Sequence, residues 1–351
     1  MSDLWPVALV GFALSLGLTP LTRQLARRIG LLDQPGGRKI HGSPMPLMGG
    51  LAIYGAFVIA LLLFPNWPQY IVELGSILAG ATWLAIVGFI DDRNSLSPWI
   101  KFPAQFLAAG VVIASGIHTD IFHNLILDTI LTTFWIVGIV NAINFLDNMD
   151  GLAAGISAIA SATFFLLAAS QGQELVGALS AALCGAAIGF LIYNFNPATT
   201  FMGDMGSLVL GYVLAVLAIK LHFFAQSPVV TWMIPVLVMG MPLFDTSLVM
   251  FTRLREGRSL VRGAKDHTSH RLAILGFSQR QAVLTHYGVC VMLGLSALLV
   301  SQISVETGEL IGGAVAIIAL GLFVFLQIVR IEDQKRQKQA KVAATSSTLL
   351  P

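Results

Sequence analysis

The chain has 351 residues, of which 56% are hydrophobic and only 11% charged, with a net charge of +2. Soluble domains carry about 25% charged residues. Together with a mean hydropathy of +0.81, these values exclude a soluble enzyme, a disordered chain and a nucleic-acid-binding domain, and define a polytopic membrane protein.

A spanning helix needs about 20 mostly apolar residues. In chain order the candidates are 4–21, 47–64, 72–90, 103–118, 122–142, 152–170, 174–192, 205–223, 229–250, 282–301 and 309–330. The fold class expected is therefore all-α, with about eleven transmembrane helices. The first stretch lacks the basic leader of a secretory signal and reads as a retained membrane helix. Cys184 and Cys290 each lie within an apolar stretch and imply packing, not a disulfide framework. Pro235, Gly240 and Pro242 predict a kink or break in the ninth span, which could open a groove for a lipid chain.

The placement of the 20 lysines and arginines gives the sidedness. With eleven spans, all of them except Lys220 fall on one face. The positive-inside rule makes that face cytoplasmic, with the N-terminus outside and the C-terminus inside. The opposite turns are short, and Asp120, Glu306 and Glu309 read as solvated turn residues. Residues 1–330 form a single membrane-embedded domain, and 331–351 form a polar, basic, flexible cytoplasmic tail suited to anionic headgroups.

Carboxylates at membrane depth are costly and mark functional sites. Asp91 and Asp92 (GFIDDRNSLS), Asp147 and Asp150 (NAINFLDNMDGLAAG) and Asp204 (NFNPATTFMGDMGS) all fall at the cytoplasmic ends of spans. Gathered acids repel and call for a cation. Oxygen ligands with Asn144 nearby suit Mg²⁺ or Mn²⁺. Opposite them, the basic loop 251–281 carries His267 and His270, a pair too sparse for zinc. Carboxylates and metal on one side, with Arg and His on the other, is the layout of a phosphoryl-transfer site. An ion-coupled transporter is the rival class, but it places its acids near the bilayer midplane within repeats, and no repeat is evident here.

The stretches RKIHGSPMPLMGG, GFIDDRNSLSPWIKF, NAINFLDNMDGLAAG, NFNPATTFMGDMGS, PLFD and DHTSHRL, in this order over residues 30 to 275, resemble the polyprenyl-phosphate N-acetylhexosamine-1-phosphate transferases, glycosyltransferase family 4. The resemblance implies transfer of N-acetylhexosamine-1-phosphate from a UDP-N-acetylhexosamine to undecaprenyl phosphate. The products would be polyprenyl-diphosphate-sugar and UMP, at the bacterial inner membrane and at the start of a cell-envelope glycan. It implies Asp204 as the main Mg²⁺ ligand with Asn144 assisting, Asp91 and Asp92 as the catalytic acidic pair, and Asp147 and Asp150 as a second acidic motif. By the same resemblance Phe201 stacks on uracil, Asn194 lies near the base and Lys101 binds phosphate. His267, His270 and Arg271 would hold the diphosphate, with Lys39 and His41 lining the same site. A homodimer is compatible with it. The HTSHRL stretch lacks the consecutive histidines of the muramoyl-pentapeptide enzymes, so the chain looks more like the GlcNAc-1-phosphate group. The pentapeptide transferase remains the alternative.

The chemistry leaves three roles open for the Asp91–Asp92 pair. The lipid phosphate, with its second pKa near 6, can attack directly while the pair orients other groups. Alternatively one aspartate acts as a base, or as a covalent nucleophile.

Overall fold

The computed structural model describes residues 4–34, 43–223, 227–260 and 265–348. Apart from one antiparallel pair of two-residue strands, β1 (Leu32–Asp33) and β2 (Met45–Pro46), the regular elements described are helical. They are α1 (Trp5–Ile29), α2 (Gly49–Leu61), α3 (Ile71–Asn94), α4 (Pro98–Ala114), α5 (Leu125–Leu146), α6 (Leu152–Ser170) and α7 (Glu174–Asn194). There follow α8 (Gly203–Lys220), α9 (Pro228–Val238), α10 (Gly240–Arg255), α11 (Thr268–Ile274), α12 (Gln279–Val300) and α13 (Val305–Thr348), with a 3₁₀ turn at Trp67–Tyr70.

Among the described residues, eight helices are long and apolar enough to cross a membrane, or nine if α9 and α10 are one span. The expected segments 47–64 and 103–118 correspond to the shorter apolar helices α2, of 13 residues, and α4, of 17. At 1.5 Å per residue α2 is only about 20 Å long. The residues at its start are held by the loop before α8. Gly49 N–H donates to the Phe201 carbonyl and Gly50 N–H to the Met202 carbonyl, while Phe201 N–H donates to the Pro46 carbonyl. The sequence places a break in the ninth span, and α9 and α10 meet there at 77°. Pro242, in the first turn of α10, lacks the N–H that a continuous helix would donate across the break to the Val238 carbonyl.

Helix α8 is the hub. Its sequence is apolar around nearly the whole circumference, the pattern of a fully enclosed helix, and Met205 through Ile219 are all buried. It packs against α2, α3, α5, α6 and α7. Close approach depends on small residues: a side chain at Gly50 would collide with the backbone of Gly206, so α2 and α8 cross in near-backbone contact. The periphery is apolar and exposed, as a lipid-facing surface must be, for example Leu310, Ile317, Ile318 and Leu320 on α13.

The tail expected to be flexible instead continues α13 without a break to Thr348. Residues 331–348 contain neither Gly nor Pro and are rich in Lys, Gln, Arg and Ala, which favour helix. At 44 residues the helix is about 66 Å long, more than twice the roughly 30 Å hydrocarbon thickness.

Candidate active site

The connections after α3, α5, α7 and α10 gather at one end of the bundle, where they enclose a cavity of about 710 Å³. Nine of the residues singled out in the sequence line it: Asp91, Asp92, Asn144, Asp147, Asp150, Asn194, Phe201, Asp204 and His270. Carboxylates from three different spanning helices or their ends therefore share one chamber.

Asp204 stands in the first turn of α8, and its surroundings are built to hold it. Its Oδ1 accepts from Asn144 Nδ2 at 2.9 Å and its Oδ2 from Lys101 Nζ at 2.6 Å. Asn144 also donates to Ser207 Oγ at 2.8 Å. Lys101 bridges to Asp91 Oδ2 at 2.5 Å, while Asp91 Oδ1 accepts from Leu96 N–H at 2.5 Å. Asp92 caps α8 from outside: its Oδ1 accepts from Asp204 N–H at 2.7 Å and its Oδ2 from Met205 N–H at 3.2 Å. A helix N-terminus exposes unsatisfied N–H donors and favours a carboxylate there. The cap is possible because Gly203 has φ +69°; a Cβ at that position would collide with the Asp92 carboxylate.

The second acidic pair divides its labour. Asp150 Oδ2 accepts from Asn196 Nδ2 at 2.9 Å and from Ala198 N–H at 3.0 Å, which fixes the 194–201 loop. Asn194, itself buried, accepts from Gly151 N–H and donates to the Thr200 carbonyl, so it staples the same two loops. Phe201 is held through its main chain by Pro46 and Gly49. Asp147, just past the end of α5, makes no side-chain hydrogen bond among the described residues. Burial, together with the charges of Asp204 and Asp150, pushes it up to about 7.

His270 faces the cavity, and its Nδ1 is buried without a partner among the described residues. Burial, reinforced by His267 and Lys265, lowers its pKa to about 4, so it is a neutral donor or acceptor at physiological pH. His267 lies behind it, with Nδ1 2.7 Å from Asp245 Oδ2. Asp245 belongs to the PLFD stretch, yet the sequence alone does not mark it as a site residue.

The structure does not bring Arg271 to the cavity. Its guanidinium is fully buried and donates to the Asp266 carbonyl, the Leu326 carbonyl and Thr252 Oγ1 at 3.0, 2.7 and 2.6 Å. Arg253, Arg258 and Arg330 converge on the Asp266 carboxylate. Burial alone would raise that carboxyl; the bonds from Arg258 and Arg253 outweigh it and hold Asp266 below the usual range. Among the described residues no lysine or arginine lines the cavity, Lys101 standing just behind Asp91 and Asp204. Lys39 and His41 lie outside the described residues. Asn148, Asn196 and Gln279 also line the cavity. Asn148 sits inside the DNMD motif; Gln279, at the start of α12, carries no signal in the sequence.

The donor set can be tested for a cation. Among the described residues no three His, Cys, Asp or Glu side chains form a ready cage. Mg²⁺ needs no such cage, since it binds through one or two carboxylates completed by water and phosphate oxygens. Asp147, without a side-chain hydrogen bond among the described residues and raised by burial and then by its neighbours' charge, is the feature such an ion would relieve. The oxygen chemistry therefore fits Mg²⁺ or Mn²⁺.

Fold and cavity together define a multi-pass membrane protein with an acidic chamber opening at one end of its helix bundle. The glycosyl transferase family 4 pattern matches residues 74–222. The chain is 35% identical to the probable undecaprenyl-phosphate N-acetylglucosaminyl 1-phosphate transferase of Bacillus subtilis (strain 168), over 82% of each chain. It is 33% identical to the decaprenyl-phosphate N-acetylglucosaminephosphotransferase of Mycolicibacterium smegmatis, over 82% of this chain and 79% of the relative. A phospho-N-acetylmuramoyl-pentapeptide-transferase of Thermoanaerobacter sp. (strain X514) is 36% identical over 60% of this chain and 73% of its own. The chain belongs to glycosyl transferase family 4, alongside the polyprenyl-phosphate N-acetylglucosamine-1-phosphate transferases.

Proposed function

We propose that this protein transfers GlcNAc-1-phosphate from UDP-GlcNAc to undecaprenyl phosphate, releasing UMP, at the cytoplasmic face of a bacterial inner membrane. The observation that carries the reading is the convergence of Asp91, Asp92, Asn144, Asp147 and Asp204, from the ends of α3, α5 and α8, on one cavity. The N-acetylglucosaminyl relatives align over more of this chain than the pentapeptide transferase does, which favours GlcNAc as the sugar. The near-exclusive placement of Lys and Arg on one side supports the cytoplasmic orientation.

The chemistry follows from the hydrogen bonds. A lipid phosphate oxygen attacks the sugar-linked phosphorus of the donor; the new P–O bond forms as the bridging P–O bond to UMP breaks, and UMP carries away the electron pair. A phosphate monoester is largely dianionic at neutral pH, so the nucleophile needs no proton removed. Both oxygens of Asp91 and both of Asp92 already hold a donor. That arrangement favours orienting roles over those of base or covalent nucleophile: Asp91 holds Lys101, and Asp92 holds the first turn of α8. Lys101 and Asn144 in turn fix both oxygens of Asp204. Phe201 presents a ring to the nucleobase, and His270 a neutral ring nitrogen to the phosphates. Mg²⁺ or Mn²⁺, held by Asp204, Asp147 and the Asn144 carbonyl, would offset the charge of two anions meeting.

The test is UMP release by purified protein in detergent with undecaprenyl phosphate, Mg²⁺ and a panel of UDP-sugars. Release with UDP-GlcNAc, abolished by Asp204→Ala and by EDTA, is the expected result. No release with any donor from folded protein supplied with lipid and metal would overturn the proposal.

A further inference from the structure

Beyond the cavity wall lies a buried polar cluster that the transfer reaction as described leaves unused. Asp245, in the first half of α10 just past the 77° break, is fully buried. A buried carboxylate is expensive unless its oxygens are satisfied. Asp245 directs its acceptor capacity to two consecutive residues. Its Oδ2 faces His267 Nδ1 at 2.7 Å, and its Oδ1 accepts from Thr268 N–H at 2.7 Å and Thr268 Oγ1 at 2.8 Å. Thr268 Oγ1 also lies 2.7 Å from Nε2 of His286, whose Nδ1 is 2.6 Å from the Ala282 carbonyl, so the cluster reaches into α12.

These bonds act on α11. Its N-cap, His267, provides no side-chain cap of its own; the Asp245 carboxylate takes the first N–H of the helix instead. A carboxylate only accepts, so His267 carries its proton on Nδ1. One turn on, His270 has its ring in the cavity with Nδ1 buried and without a partner among the described residues, and it lies against His267 with ring centroids 5.9 Å apart. The far side of α11 is tied by Ser269 Oγ, which donates to Asn148 Oδ1 at 2.7 Å. His270 thus has no direct tether of its own among the described residues, and its aim is set by how residues 267–269 are held.

We propose that Asp245 is a positioning residue of the transfer site: by clasping His267 and Thr268 it sets α11 so that His270 presents its ring to the substrate phosphates. The inference rests on the transfer reaction proposed above. Asp245 never touches substrate, and it acts through His270.

The test compares Asp245→Ala, Asp245→Asn, His270→Gln and the double variant Asp245→Ala/His270→Gln in the UMP-release assay. Misplacing a reacting group by an ångström costs about 100-fold. Asp245→Ala and His270→Gln are each expected to lower kcat/KM for UDP-GlcNAc by about that factor, and the double variant to fall no further than either single variant, not by the square of the factor. Asp245→Asn keeps an oxygen for Thr268 but offers His267 an N–H. It is expected to lose about tenfold, between wild type and Asp245→Ala. Its ¹⁵N-histidine spectrum should show His267 switched from the Nδ1–H to the Nε2–H tautomer. Multiplicative losses, kcat/KM within fivefold of wild type in Asp245→Ala, or an unswitched His267 in folded Asp245→Asn would overturn the proposal. If Asp245→Ala does not fold, Asp245→Asn and its double variant with His270→Gln carry the same comparison. If wild-type protein releases no UMP with any donor, the transfer reading fails, while the ¹⁵N spectrum still decides whether Asp245 sets His267.

Discussion

Gly203→Ala adds one methyl group and removes no functional group, yet it should disable the site. Gly203 sits at φ +69° immediately before Asp204, and the added Cβ would overlap the Asp92 carboxylate. Left-handed backbone costs an L-residue about 1–2 kcal/mol. Asp92 has a short side chain and can move aside only by releasing the N–H groups of Asp204 and Met205, which it holds at 2.7 and 3.2 Å. Each hydrogen bond to a charged acceptor contributes about 1.5–3 kcal/mol, so the total penalty is about 4–8 kcal/mol, spread between stability and the geometry of Asp204. The expected outcome is loss of UMP release by at least about 100-fold. Asp92→Asn should show a comparable loss, because an amide can satisfy only one of the two N–H groups. If Asp92 orients α8, its Asn variant keeps the wild-type shape of the pH–rate profile and is not further impaired by adding Gly203→Ala. If Asp92 is instead a base, its Asn variant loses the acid limb of the profile. Gly203→Ala with activity within fivefold of wild type would refute the capping argument outright.

Three further outcomes follow from the geometry. Asp147 is raised to about 7 in the free protein; below that pH its proton competes with a cation, so Mn²⁺ affinity by electron paramagnetic resonance should weaken about tenfold per pH unit on going below 7, and Asp147→Asn should flatten that dependence. His270 is lowered to about 4, so it stays neutral from pH 5 upwards; the kcat/KM profile, which reports the free enzyme, should show no limb near 6.5 assignable to it, and His270→Gln should leave the profile's shape intact while lowering its height. Arg271→Leu removes a buried guanidinium from three acceptors and leaves them unpaired at about 1–3 kcal/mol each; it should lower the thermal stability in detergent while leaving KM for UDP-GlcNAc within threefold, and a tenfold rise in KM without loss of stability would return Arg271 to the substrate.

The helical class is legible in the sequence because composition and apolar run length leave a membrane chain few options, and the break between α9 and α10 is legible because proline has one backbone effect. The acids are legible because ionisable groups at span ends stand out against an apolar background, and Asp91, Asp92, Asp147, Asp150 and Asp204 all reach one cavity. The direction of the basic loop is not. Its net charge faces the acids on paper, but Arg253, Arg258 and Arg271 turn toward Asp266 and α13. Asp266 is the first residue of the DHTSHRL stretch, and nothing in a linear sequence says whether an acid in a basic loop collects its neighbours or stands clear of them. Asp245 is hidden for a related reason: one acid inside an apolar helix reads as a cap until its partners, two consecutive residues and a helix away, are known. The tail defeats the expectation because polarity does not entail flexibility: Lys, Gln and Ala propagate a helix already nucleated by its membrane span.

The same inward turn of the arginines bears on how two anions meet here. With Lys101 committed to Asp91 and Asp204 and His270 neutral, the described cavity wall holds an excess of negative charge and no cation free to neutralise a diphosphate. A phosphate-binding cleft lined by arginines would bind donor and product alike. A cleft lined by carboxylates binds phosphates only through a cation shared between wall and substrate, so affinity rises when metal and diphosphate are both present and falls when either is lost. Asp147 would sharpen that coupling, since its side chain makes no hydrogen bond among the described residues and stands open to such an ion.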